Sequence, residues 1–303
     1  MRWSGSAAVE KTAMIDRNRA SHMDGQGGRI RIGAVSYLNS KPLVEGLPEL
    51  CPEAEFKLDY PSRLADGLAH ETLDVALIPS VESFSDPDYE VVSNACVATH
   101  GPVHSVKLFF RKHPGDVKTL ALDEGSRTSA ALARVMLDER FGVQPHLQRL
   151  PLGKTAEETT TDAVLLIGDR AMSSPAEYFH TVWDLGEEWV SWTGLPFVFA
   201  MWVGRKGVGL NGIPEKLNAA RDLGLAHLEE ISRQGADSLQ LPVDMVRQYL
   251  TRNLHFTLGK AEQMGLRLFH ELAAQHGLAG ETPLTFRGDY ARKDLQLALA
   301  QHG

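Results

Sequence analysis

Arg29-Ile30-Arg31-Ile32-Gly33-Ala34-Val35-Ser36-Tyr37-Leu38-Asn39-Ser40-Lys41-Pro42-Leu43 is the stretch whose reading decides the fold. Ile30, Ile32 and Ala34 alternate with polar or small residues, the period of a β-strand. The polar residues Ser36, Tyr37, Asn39 and Ser40 follow, and then Pro42, which suits the first turn of a helix because its missing N–H is not needed there. A strand running through hydrogen-bonding side chains into a helix places those side chains at a sheet's carboxyl edge, where open α/β folds bind ligands. The same residues also read as an ordinary β-to-α loop with an Asn turn and a Ser cap.

Working outward, the strand-then-helix pattern recurs. Phe56–Tyr60 alternates as a strand, and residues 62–70 read as a helix with Leu64 and Leu68 one turn apart. Asp74–Ile78 is nearly all apolar, as expected of a strand buried on both faces, and it stops at Pro79-Ser80. Strands are expected over 89–97 and 105–111, joined by the loop Ala98–His104. Leu120–Asp123 runs into Glu124-Gly125-Ser126-Arg127-Thr128-Ser129 and a helix to about Phe141, which Gly142 closes. Asp162–Ile167 is a further buried strand ending in Gly168-Asp169-Arg170, and Trp192–Pro196 leads into the apolar strand 197–203. From Pro214 the pattern is helical, with Ala261, Met264, Leu268 and Leu272 on one face of a long helix.

This order predicts an α/β protein with mostly parallel sheets. Its thinning near 100–110 and 195–203 marks two chain crossings. The expected architecture is a two-lobed α/β binding fold with a ligand cleft between lobes. Residues 29–104 and 200–303 form a discontinuous first lobe, and 105–199 an inserted second one. Residues 1–28 are polar, lack an apolar run and read as a tag or disordered extension.

Composition narrows the function. With 31 basic and 39 acidic residues the formal net charge is -8, and no basic block marks a nucleic-acid or anionic-membrane surface. The absence of a secretory apolar core and of a spanning stretch points to a cytoplasmic protein. Cys51 and Cys96 lie in no CxxC pair and are expected as buried free thiols. His100 and His104 are four apart on a strand or loop with no third ligand by spacing, so no metal site is expected. No nucleotide or dinucleotide loop and no nucleophile elbow occurs, so no cofactor is expected.

The strongest chemical feature is Gly125-Ser126-Arg127-Thr128-Ser129. Hydroxyls, free N–H groups and a helix dipole favour an anion there, and Arg127 adds a charge-assisted grip on a carboxylate. A capping run with a solvated Arg is the alternative. Ser80 and Asp169 sit at strand ends: Asp169 serves equally as an acid or base or as a cap of the next helix, and Ser80, a lone hydroxyl, carries the same ambiguity. Trp192 and Phe197 read as core or hinge packing.

Several segments together resemble one family. They are Val35–Leu43, Asp74–Ser80, Gly101–Ser105, Ser126–Ser129, Leu165–Asp169 and Trp192–Ala200. The chain resembles the chorismate dehydratases of the futalosine route to menaquinone, over about residues 30 to 300. The resemblance implies a periplasmic-binding-protein type II-like fold used by a cytoplasmic enzyme. It implies loss of water from chorismate to give 3-[(1-carboxyvinyl)oxy]benzoate. Ser126, Arg127, Thr128 and Ser129 would hold one carboxylate of this dianion, with Ser80 or Ser105 on the other and Gly168 and Asp169 completing the substrate site. No protein base is certain. Asn39 and Ser36 are assigned to holding the substrate's own side-chain carboxylate as it takes the proton, with Asp169 as the alternative base. A solute-binding protein for a small carboxylate, or a later enzyme of the same pathway on the same fold, are the competing functions.

Overall fold

The computed structural model describes residues 29–172 and 176–287; the 1–28 extension lies outside the described residues. Two sheets carry the fold. The first holds β1 (Arg31–Val35), β2 (Glu55–Asp59), β3 (Val75–Pro79), β4 (Tyr89–Thr99), β10 (Phe197–Arg205) and β11 (His255–Thr257), in the order β11-β4-β10-β3-β1-β2. The second holds β5 (Val106–Phe110), β6 (Thr119–Asp123), β7 (His146–Leu150), β8 (Ala163–Ile167) and β9 (Thr181–Asp184), in the order β7-β6-β8-β5-β9. The chain thus leaves the first sheet after β4 and returns to it at β10.

The expectation of mostly parallel sheets is corrected. β1 pairs in parallel with β2 and β3, and β6 with β7 and β8. β10 is antiparallel to β3 and β4, β11 to β4, and β5 to β8 and β9. A continuous apolar run such as 197–203 reports burial on both faces, which β10 has along nearly its whole length. It carries no information on strand direction.

Local chemistry sets the ends of the elements that matter. Gly142 ends the helix Thr128–Phe141 in the left-handed region (φ 64°), with its N–H bonded to the Asp138 carbonyl. Asp184 caps the helix Leu185–Thr193 by accepting the N–H groups of Gly186 and Glu187. The same carboxylate accepts the N–H groups of Val103 (2.8 Å) and His104 (2.6 Å), so one side chain pins the first crossing to the second sheet. His104 adopts φ 61° there. Phe197 is fully buried against Trp189, Phe199 and Phe269, as packing at the second crossing requires. Cys51 and Cys96 are buried and unpaired. Among the described residues no helix is long and apolar enough to cross a membrane.

The helix Lys260–Gln275 lies against the second crossing so closely that a Cβ on Gly265 would fall 1.9 Å from the Pro196 carbonyl oxygen. Gly to Ala inside an unobstructed helix stabilises by about 1 kcal/mol. Here the sign should reverse: Gly265→Ala should lower stability by about 2 kcal/mol, seen as a lower urea midpoint at unchanged m-value. A raised midpoint would contradict this packing.

Candidate functional site

A cleft lies between the sheets. From the first-sheet side come Val35, Tyr37, Asn39, Pro61, Pro79, Val97, Phe199 and Ala200; from the second come Val103, Ser105, Val106, Gly125–Ser129, Ile167 and Gly168. Its walls are largely apolar, and its polar groups converge from strand-end loops and one helix start.

That helix start is the anion-favouring corner. The first intrahelical bond of Thr128–Phe141 runs from the Ala131 N–H to the Arg127 carbonyl (3.0 Å), so the N–H groups of Thr128, Ser129 and Ala130 precede the helical ladder. The turn presenting them is held by Asp123, whose side chain is fully buried. Its carboxylate accepts the Gly125 N–H (2.9 Å) and the Ile167 N–H (3.2 Å) and pairs with Arg170 at 2.6 Å. Burial pushes the Asp123 pKa up, and Arg170 with the two N–H groups opposes that shift.

Ser105 is fully buried in the cleft wall. Its hydroxyl accepts the Tyr249 O–H at 2.8 Å. The Asn39 Oδ1 and the Tyr37 hydroxyl are buried without a partner. Buried polar atoms are ordinarily paired, so both are poised for a ligand. Burial raises the pKa of both tyrosines, which stay neutral donors.

Of the residues singled out in sequence, Asn39, Ser105, Ser126, Arg127, Thr128, Ser129 and Gly168 line the cleft. Ser36 does not: its side chain is exposed and its N–H bonds the Asp59 carbonyl. Tyr37 takes the place expected of it. Ser80 is buried outside the lining and donates to the Val198 carbonyl (2.7 Å). It lies 3.4 Å from the Thr128 hydroxyl oxygen, which also accepts the Val81 N–H (3.2 Å). Arg127 is not a free carboxylate clamp. Its guanidinium reaches across the cleft edge to Asp66 (2.6 Å) and Glu82 (3.2 Å). Gly168 sits at φ 69°, and a Cβ there would meet the Tyr37 ring at 3.0 Å. Asp169 lies outside the lining, accepts the Leu38 N–H (3.3 Å), and is raised in pKa by burial. Sequence reasoning missed Tyr249, which has no local motif, and passed over Tyr37 although it lies within the opening stretch.

Residues 30–275 match a protein family described as menaquinone biosynthesis. The chorismate dehydratase of Thermus thermophilus is 33% identical over 192 residues, 58% of this chain and 70% of that protein. The chorismate dehydratase of Campylobacter jejuni is 28% identical over 172 residues, 54% of this chain and 58% of that protein. A solved structure from Archaeoglobus fulgidus superposes with a TM-score of 0.67 at 15% identity, covering 82% of this chain and 98% of that one. The periplasmic aliphatic sulphonate binding protein of Escherichia coli superposes with a TM-score of 0.52 at 15% identity, over 86% and 95%. These structural likenesses establish the periplasmic-binding-protein-like fold.

The raised pKa of Asp169 fixes the sign of a pH effect. Because the folded state holds this proton more tightly than the unfolded chain, the stabilisation is complete below the unfolded value of about 3.9 and fades as pH rises through the folded one. Asp169→Asn keeps an acceptor for the Leu38 N–H. The variant should therefore gain stability relative to wild type as pH rises above about 4, measured by urea unfolding over a series of pH values. A constant difference would contradict the raised carboxyl.

Proposed function

The chain belongs to the menaquinone-biosynthesis family, and on that premise we propose that it is a chorismate dehydratase, a hydro-lyase acting in the cytoplasm on chorismate. Among the described residues, the two sheets support a discontinuous lobe built on β1–β4 with β10–β11 and an inserted lobe built on β5–β9, the second crossing lying at Phe197, three residues before the boundary expected from sequence.

One observation carries the mechanism. The lining holds hydroxyls, amides and a helix start, and none of its residues is a carboxylate, an imidazole or an amine. A dianionic, partly apolar substrate suits it, and a protein base is missing from it. The substrate's own side-chain carboxylate therefore takes the proton from the ring carbon bearing the enol ether. The electron pair of that C–H bond becomes a ring double bond as the bond to the neighbouring hydroxyl breaks. The hydroxyl leaves with a proton as water. Aromatisation supplies the driving force, and the protein supplies orientation.

Asn39 positions the reacting groups through its amide, having no acid–base chemistry of its own at neutral pH. The other carboxylate is held by the Thr128–Ala130 N–H groups with Ser126 and Ser129. With Arg127 engaged by Asp66 and Glu82, its part is to join the lobes at the mouth of the cleft. The sulphonate-binding neighbour keeps a second reading open, an anion-binding protein without turnover.

Incubation of the purified chain with chorismate should yield the aromatic product by ultraviolet absorption. Tight binding without product would establish the binding-protein reading. Asn39→Ala should lower kcat by about 100-fold or more with chorismate affinity changed only a few-fold. Asp169→Asn should retain turnover; its loss with binding intact would make Asp169 the base.

A further inference from the structure

Outside the cleft, three ligand-type side chains from distant parts of the chain meet at the edge of the first sheet. His100 follows the end of β4, His255 opens β11, and Glu262 lies in the first turn of the helix Lys260–Gln275. β11 pairs antiparallel with β4, setting His255 opposite Ala98, so the two imidazoles stand side by side with ring centroids 4.5 Å apart. Both direct Nε2 at the same carboxylate oxygen. Glu262 Oε1 is 2.5 Å from His100 and 3.5 Å from His255. Glu262 is almost wholly buried and cannot swing away, because its Oε2 accepts the Gly259 N–H at 3.0 Å as the helix cap.

We propose that His100, His255 and Glu262 form a binding site for one divalent transition-metal ion of the zinc class. Two imidazoles and one carboxylate are a donor set that such ions take, with a fourth position left for water. The ligand atoms lie within 4.8 Å of one another. Bonds of about 2.0–2.1 Å place tetrahedral ligand atoms about 3.3 Å apart. His255 already stands near that separation from Glu262, and His100 needs to retreat by under about 1 Å. It can do so, because its side chain is 53% exposed. His255 is 43% exposed, so the fourth position opens to solvent. The opposing charge is Arg221, which is already engaged by Asp222 at 2.7 Å and Asn94 at 2.9 Å.

None of the three residues lines the cleft, and the ion's role there is to staple the crossing. His100 begins the loop between sheets, and next to it the Thr99 hydroxyl and the Asn253 amide bond across that loop, to the Asn253 and Pro102 carbonyls. The same turn, Tyr249–Asn253, carries Tyr249 to Ser105. His104, the other histidine of the spaced pair, is not in the group.

The test uses the full chain stripped with a chelator and titrated with Co²⁺ alone, with Zn²⁺ as competitor. One equivalent should give the d–d absorption of a four- or five-coordinate N/O site, displaced by Zn²⁺, and Zn²⁺ should raise Tm. The pair His100→Gln/His255→Gln should weaken Co²⁺ binding by about 100-fold or more. Glu262→Gln, which keeps an acceptor for the Gly259 N–H, should weaken it likewise and covers the case of a double variant that fails to fold. Absence of a one-equivalent spectrum would overturn the proposal and leave a hydrogen-bonded His–Glu–His group. Binding that persists at wild-type affinity in both variants would overturn it equally, placing the ion on other histidines such as His22.

Discussion

The cleft depends on a single buried charge. Asp123 has no exposed side-chain surface, and an uncompensated carboxylate there would be untenable. Its compensation comes from three places: the turn after β6, the last residue of β8, and Arg170 in the helix Asp169–Met172. Paying for this one charge fixes the Gly125–Arg127 turn, aligns β6 with β8 at their carboxyl ends, and sets the direction from which the helix Thr128–Phe141 starts. Removing one partner of such a pair costs about 3–5 kcal/mol. The anion corner is thus a by-product of solving a burial problem.

The groups that line the cleft also hold the two halves together. Thr128 lines the cleft and meets Ser80 and the Val81 N–H from the other side. Arg127 lines it and bridges to Asp66 and Glu82. The Leu38 N–H, one residue from Tyr37, reaches Asp169, one residue from Gly168. A ligand that draws on these groups necessarily acts on the contacts between the sheets. Charged pairs at the cleft mouth are part solvated and individually weak, so they can yield to a bound dianion without unfolding either half.

Much of this was legible in the chain. Alternation and apolar runs located β1, β3, β4, β8 and β10, and the hydroxyl-rich run before residue 130 located the helix start that lines the cleft. What stayed hidden has physical causes. β7 is an exposed edge strand without an apolar face, and β11 has only three residues, so neither imposes a pattern. Strand direction leaves no mark on a doubly buried run. Arg127 advertises a free cation in sequence, and only its place opposite Asp66 and Glu82 reveals that its charge is taken. Ser36 and Tyr37 are neighbours on a turn, and the one-residue choice of which points inward was beyond a pattern of residue types. Tyr249 comes from a π-helical turn more than 140 residues beyond Ser105, and no local signal announces that contact.

The unpartnered atoms sharpen what kind of site this is. A buried donor or acceptor left unpaired costs about 1–3 kcal/mol, and the cleft tolerates two, the Asn39 Oδ1 and the Tyr37 hydroxyl. Neither can relax easily. Asn39 sits within the short helical turn Leu38–Ser40, and the Tyr37 ring is packed against Gly168, where a Cβ would intrude. Their polarity is therefore fixed before any ligand arrives, which is the condition under which dipoles stabilise developing charge without reorganising. A site that moved protons through its own side chains would need a titrating group among these atoms. A site that only orients a substrate carrying its own base needs rigid neutral dipoles and an anion corner, and those are the groups this cleft presents.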